Sequence, residues 1–184
     1  MGGWRRCRFG AVLEPVGDVE REAQPSPEVT VAFAVVKGQR PEWAVQKLTE
    51  IGVDRIVPLL TARSVVRWPV GGASGHLGRL RRVAREAAMQ SRRTWLPEIS
   101  DVADFATVAA QEGAALAHPE GDAPSLAHPT VLIGPEGGWD DAELAAGLPR
   151  VTLGAHVLRT ETAALVAGVL LCAIRTNLPN RTVP

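Results

Sequence analysis

The chain has 184 residues, 46% of them apolar and 22% charged, with a formal net charge of zero and a mean hydropathy of +0.03. That balance fits one ordinary domain with a small appendage and a sizeable core, and excludes disordered and collagen-like chains. No run approaches the roughly 18 apolar residues of a membrane span, and the Arg-rich N-terminus lacks the apolar stretch of a signal peptide. The two cysteines, Cys7 and Cys172, supply neither a disulfide framework nor a ligand set. The expectation is a cytoplasmic protein with no metal and no membrane partner, and with Cys172 an inert core thiol.

In chain order, residues 1–28 are mixed, and Pro25, Ser26 and Pro27 mark a linker or edge. "VTVAFAVV" (29–36) is a β-branched run and predicts a buried strand. "RPEWAVQKLTEIG" (40–52) predicts a helix, with Pro41 in its first turn and Gly52 as its C-terminal cap. "VDRIVPLLT" (53–61) is the next strand, and 62–75 is a polar, Gly-rich loop with embedded arginines. Residues 76–93 predict a helix, since Leu77, Leu80, Val83 or Ala84, and Ala87 recur at helical spacing. "PEIS" (97–100) fits a short strand or a loop. A helix is expected over 101–113, capped by Asp101 and ended by Gly113. Then follow a strand (114–118), a Pro/Gly/Asp loop to Pro129, a strand (130–134), a short helix (140–147) and a strand (150–154). The last helix (160–176) is apolar almost all round, which predicts deep packing on every side.

The neutral total hides an asymmetry. Nine arginines and one acid lie between Arg55 and Arg93, whereas ten acids and no Lys or Arg lie between Thr94 and Pro149. Two readings stand: a basic face for a polyanion, or arginines paired with acids on neighbouring elements.

Alternating strands and helices predict an α/β fold, a parallel sheet covered on both faces. Ligands bind such sheets at the carboxyl ends of strands. Three loops leave strands in that way: "HPEGD" after 114–118, "GPEGGWDD" after 130–134 and "GAHVLRTET" after 150–154. Both the phosphate-loop lysine and the G-x-G-x-x-G fingerprint are missing from the sequence. The rigid Pro135 and the open amides of Gly137 and Gly138 suit a ligand read by backbone hydrogen bonds, such as an adenine or a ribose. A tight turn capped by Asp140 is the plainer alternative.

"IGPEGGW…E" (133–143) followed by "LGAHVLRTETAAL" (153–165) resembles the paired signature of the RsmE-type ribosomal RNA uridine-N3 methyltransferases of the SPOUT superfamily. "KGQRPEWAVQKLTEIGVDRIVPLLTARSVVRW" (37–68) and "AREAAMQSRRTWLPEI" (84–99) resemble further blocks in the same order, so the likeness covers roughly residues 29–176.

That resemblance implies a SPOUT domain over 29–178 with a C-terminal deep trefoil knot, S-adenosyl-L-methionine as cofactor, and a homodimer. The implied substrate is one uridine of 16S rRNA in the small ribosomal subunit, methylated at N3. Residues 179–184 would be a tail. By position, Ala117, His118 and Pro119 would line the cofactor, as would Ile133, Gly134, Pro135, Glu136, Gly137 and Gly138. So would Leu153, Gly154, Val157, Leu158, Thr160 and Thr162. Main-chain groups of Leu153 and Leu158 would read the adenine, and Gly134 and Gly138 would leave room for the ribose and methionine parts. Arg63, Arg67, Arg85, Gln90, Ser91, Arg92, Arg93 and His156 would face RNA. Uridine N3 must lose a proton before it attacks, so the site needs a base or a cation beside the uridinate oxygens. Arg159 is the candidate cation and Glu161 the candidate orienter or base.

The sequence departs from the family at two places. His156 stands where the family usually has arginine, so its charge depends on pH. Only about 28 residues precede Val29, too few for the PUA-like barrel that normally comes first; "WRRCRFGAVLEPVG" fits its last hairpin, and residues 1–28 are expected to be its remnant plus a linker. The competing functions are a non-catalytic RNA-binding module with the same fold, and an α/β protein for another adenine nucleotide.

Overall fold

The computed structural model describes residues 4–7, 10–13, 17–18, 21–70 and 75–177. Two N-terminal strands, β1 (Trp4–Cys7) and β2 (Gly10–Leu13), pair antiparallel as the expected hairpin. The proposed C-terminal tail lies outside the described residues.

The main sheet holds β3 (Thr30–Ala34), β4 (Arg55–Leu60), β5 (Glu98–Ile99), β6 (Ala103–Asp104), β7 (Ala114–Asp122), β8 (Thr130–Ile133) and β9 (Arg150–Val151). Its order is β5-β4-β3-β8-β7-β9, with β6 also on β4, and every pairing in it is parallel. Such a sheet needs apolar side chains on both faces. β3 supplies them: Val29, Val31 and Phe33 enter one cluster, with Leu48, Ile56, Leu80 and Leu171, and Ala32 enters the other, with Val57, Leu59, Leu132 and Trp139. Each large side chain buried this way contributes roughly 1.5–3 kcal/mol.

The first cluster is covered by α1 (Arg40–Ile51), α2 (Gly75–Gln90) and α5 (Thr160–Arg175); the second lies beside α3 (Phe105–Ala109) and α4 (Asp141–Leu144). α1 ends as its sequence predicts: Gly52 is left-handed at φ 108°, and its N–H donates to the carbonyls of Leu48 and Thr49. Gly168 lets α5 approach α1, because a Cβ there would stand 2.9 Å from Leu48 Cδ2 and Val53 Cγ2.

Three expectations need correction. The helix expected over 101–113 is only α3, because Ala103 and Asp104 pair with β4 and Asp104, not Asp101, caps by accepting from Thr107 N at 2.8 Å. Hydrogen bonds from Thr107, its side chain first and its backbone N–H second, hold the Asp104 carboxyl below its ordinary pKa. The strand expected over 114–118 runs on through the "HPEGD" segment to Asp122, and Leu116, Ala117 and Asp122 pair with β9 across a bulge. α5 is not packed all round: Ala164, Ala167 and Leu171 are buried, but Val169 and Ile174 are exposed.

A buried ion cluster ties the helix ends to the sheet. Arg175 donates to Asp54 Oδ2, to Pro27 O and to Gly52 O, and Asp54 Oδ2 also accepts from Val29 N at 2.9 Å. Arg93 donates to the carbonyls of Thr49 (3.0 Å) and Val53 (2.7 Å) and to Asp54 Oδ1 (3.5 Å). Arg93 therefore turns inward and cannot face RNA as expected, and burial lowers its pKa.

Candidate functional site

The three segments do meet. Midway along β7 and at the carboxyl ends of β8 and β9 they border a cavity of about 460 Å³. β7 contributes Ala117, His118 and Pro119. The β8 loop contributes Ile133, Gly134, Pro135, Glu136, Gly138 and Trp139. The β9 loop contributes Leu153, Gly154, His156, Val157 and Leu158, and α5 contributes Thr160. Of the residues expected to line it, Gly137 and Thr162 do not. Gly137 faces Arg63, and Thr162 is exposed on α5.

The walls have local causes. Trp139 is the residue that spacing alone undervalued. Its Nε1 donates to Ala117 O at 3.0 Å, which ties the β8 loop to β7. A Cβ on Gly134 would stand 3.1–3.4 Å from the indole. Gly134 thus makes room for the protein's own tryptophan, not for a ligand as expected. Gly138 is left-handed at φ 70° with open space around it. Thr160 Oγ1 donates to Gly134 O at 3.0 Å and pins the start of α5 to the β8 loop. The β8 loop leads into α4 through a reciprocal cap: Asp140 accepts from Ala142 N (3.1 Å) and Glu143 Oε2 accepts from Asp140 N (2.9 Å). The other oxygen of Glu143 accepts from Ala62 N at 2.8 Å, fastening the loop to the connection after β4.

The charged groups separate by position. Arg159 is exposed, next to the cavity-lining Leu158 and Thr160, and its side chain has no partner among the described residues. Glu161 is buried and does not line the cavity; its Oε1 lies 3.6 Å from Arg40 Nη1. Arg40 also binds Glu136 at 2.8 Å, and that hydrogen bond above all raises its pKa. Neither Arg40 nor its two acids can be linked from local pattern, since Arg40 and Glu136 are 96 positions apart.

The arginines expected at RNA divide. Arg63 donates to Gly137 O at 3.1 Å and Arg67 to Ala62 O at 3.3 Å, both from exposed positions. On α2, Arg79 and Arg81 pair with Glu42 (3.4 Å) and Asp101 (2.9 Å). Arg82, Arg85 and Arg92 are exposed without a partner among the described residues, and Gln90 lies in the groove between α1 and α2. The paired reading of the arginine excess therefore holds for Arg79 and Arg81, while Arg82, Arg85 and Arg92 leave positive charge at the surface.

A model of the RNA methyltransferase domain matches residues 23–171. The chain belongs to the RNA methyltransferase domain family. It is 36% identical over 160 residues to the ribosomal RNA small subunit methyltransferase E of Mycobacterium bovis, covering 77% of this chain and 61% of that one. It is 33% identical over 162 residues to the enzyme of the same name from Bacillus subtilis, covering 76% and 63%. The chain thus spans about three fifths of the length of the curated relatives it matches. Among solved structures, a ribosomal RNA small subunit methyltransferase E from Neisseria gonorrhoeae, bound to S-adenosyl methionine, superposes with a TM-score of 0.74 at 25% identity, over 94% of this chain and 78% of that one. As an RNA methyltransferase domain, the chain carries its cavity where a parallel sheet places ligands.

Proposed function

We propose that the chain is an S-adenosyl-L-methionine-dependent methyltransferase that acts on N3 of a uridine in 16S rRNA of the small ribosomal subunit. The observation that carries this reading is the cavity formed jointly by the three loops. Its lining fits the cofactor by chemistry. Ile133, Leu153, Leu158 and Ala163 offer apolar surface to an adenosyl group, and main-chain groups at Leu153 and Leu158 would read the base. No Lys or Arg is in the lining, as a phosphate would require, and the one acid there, Glu136, tolerates a sulfonium. Bound there, the cofactor supplies an electrophilic methyl that needs only alignment.

The chain's own groups must then handle the uridine. Arg159, beside the cavity-lining Leu158 and without a side-chain partner among the described residues, would stabilise negative charge on the uridine oxygens as N3 gives its proton to water. Glu161 is buried against Arg40 and outside the lining, which favours its role as an orienter over that of a base. Arg63, Arg67, Arg85, Arg92 and His156 are exposed and would contact RNA.

The same reading includes a C-terminal trefoil knot, a homodimer and a cytoplasmic location. The knot follows from the resemblance of residues 133–143 and 153–165 to the SPOUT methyltransferase signature. The dimer is supported by the outward face of α5, where Val169 and Ile174 are exposed beside half-buried Leu165, Val166 and Leu170. Residues 29–178 would be the methyltransferase domain, with β1 and β2 outside it.

The test is methyl transfer from labelled cofactor to small-subunit rRNA, with the product base read by mass spectrometry. N3-methyluridine supports the reading. Cofactor binding without transfer would favour a non-catalytic RNA-binding module.

A further inference from the structure

Arg40 opens α1, on the half of the sheet that gives the cavity no lining residue. Its guanidinium nevertheless reaches both loops that build the rim. Nη1 lies 2.8 Å from Glu136 Oε1 and 3.6 Å from Glu161 Oε1, and Nε donates to Lys37 O at 3.2 Å. The two acids differ in kind. Glu136 lines the cavity and its side chain is 58% exposed. The Glu161 side chain is 10% exposed, and its Oε2 is buried with no hydrogen-bond partner in the structure. A buried carboxylate needs a cation close by, and Arg40 is the cation that the structure sets against Glu161. Both acids meet one nitrogen, so without it two like charges would face each other across the rim.

We propose that Arg40 is a positioning residue of the cavity: by binding Glu136 and Glu161 at once, it holds the loop of residues 134–138 against the first turn of α5 and so sets the rim. The proposal rests on the cavity being the methyl donor's site. Arg40 acts through the two carboxylates and is not itself in the lining. Thr160 reinforces the same junction from inside, through its bond to Gly134 O. Lysine at position 40 would keep the charge between the acids but lose the planar donor that reaches Lys37 O.

The experiment has two readouts on the wild type, Arg40→Ala, Arg40→Lys and Glu136→Gln. The first is hydrogen–deuterium exchange of the ligand-free chain. In Arg40→Ala, exchange in segments 134–138 and 160–163 should rise about fivefold, the upper range for an exposed ion pair. Exchange in strands 30–34 and 55–60 should not change, which shows that the variant is folded. Lysine should restore most of the protection, and Glu136→Gln should loosen 134–138 on its own. The second readout is calorimetric titration with S-adenosylmethionine and with its demethylated product. Positioning predicts that Arg40→Ala weakens both ligands by the same factor. A pure charge effect would instead separate them, because only one carries a sulfonium that a freed Glu136 could attract. Unchanged exchange in both segments, or a change in affinity for one ligand alone, would overturn the proposal. If the wild type binds neither ligand, the cofactor reading fails, and the exchange data still decide whether Arg40 holds the rim. If Arg40→Ala does not fold, Glu136→Gln decides, and unaltered exchange at 134–138 in that variant sinks the idea.

Discussion

Gly121 lies against the main chain of Val151 so closely that a Cβ on it would stand 2.4 Å from the Val151 nitrogen and 2.6 Å from the Arg150 carbonyl carbon. Here the extended end of β7 meets β9, and Thr152 N donates to Asp122 O at 2.8 Å just beyond. Backbone cannot yield as a flexible side chain can. Gly121→Ala should therefore destabilise the protein by about 3 kcal/mol or more, at the upper end of overpacking costs. Denaturant unfolding measures this, and a loss below half that value would mean that the β7–β9 contact at Gly121 can relax.

The Asp54 cluster gives a sharper case on the opposite side of the fold. Arg175 is 8% exposed and Asp54 5%, and the two are directly bonded. Replacing Arg175 by methionine removes the main partner of a buried carboxylate, leaving it only Arg93 and Val29 N. A loss of about 3–5 kcal/mol is expected. Equilibrium unfolding with Asp54→Asn added to Arg175→Met should recover part of it, because the orphaned charge is then gone.

Cys172 behaves as the core thiol that its sequence suggests. Burial pushes its pKa from 9.0 up to about 11, although nearby Arg175 opposes the shift. A pKa raised on folding means that the native state holds its proton longer. This contribution is complete below the ordinary thiol value and is lost as pH rises through about 11. Alkylation of Cys172 at pH 8 should be slow in the native protein and fast in denaturant. Unfolding scans should show stability falling between pH 9 and 11, with a smaller fall in Cys172→Ala.

Arg159 tests the proposed chemistry. Its side chain has no partner among the described residues, so Arg159→Ala should leave thermal stability unchanged. If it stabilises the uridinate, methyl transfer should drop by about 10²–10³-fold, the usual cost of removing one such donor. Affinity for the demethylated cofactor should not move. Near-normal turnover with normal affinity would remove Arg159 from the mechanism.

The parts of this molecule that were legible in the sequence are those with local causes. β-branched runs marked β3, β4 and β8, and Pro41 and Gly52 bounded α1. The β8 and β9 loops were legible as neighbours because parallel strands deliver their carboxyl ends to one edge. What was missed depends on distant partners. "HPEGD" has loop composition, yet β9 recruits it into β7. Asp101 looks like a cap, but pairing of Ala103 and Asp104 with β4 moves the helix start to Phe105. Arg93 reads as one more basic residue on a basic helix until Thr49, Val53 and Asp54 turn it inward. Arg40 and Trp139 carry ordinary local signals, and only the folded chain shows one spanning two loops and the other filling the space over Gly134.

The central claim is that the cavity between β7, β8 and β9 holds the methyl donor. A crystal structure of the chain with S-adenosylhomocysteine tests it most directly. Density for the ligand is expected in that cavity, with its adenine against the main chain of Leu153 and Leu158. An empty cavity at saturating ligand, or density elsewhere on the protein, would contradict it.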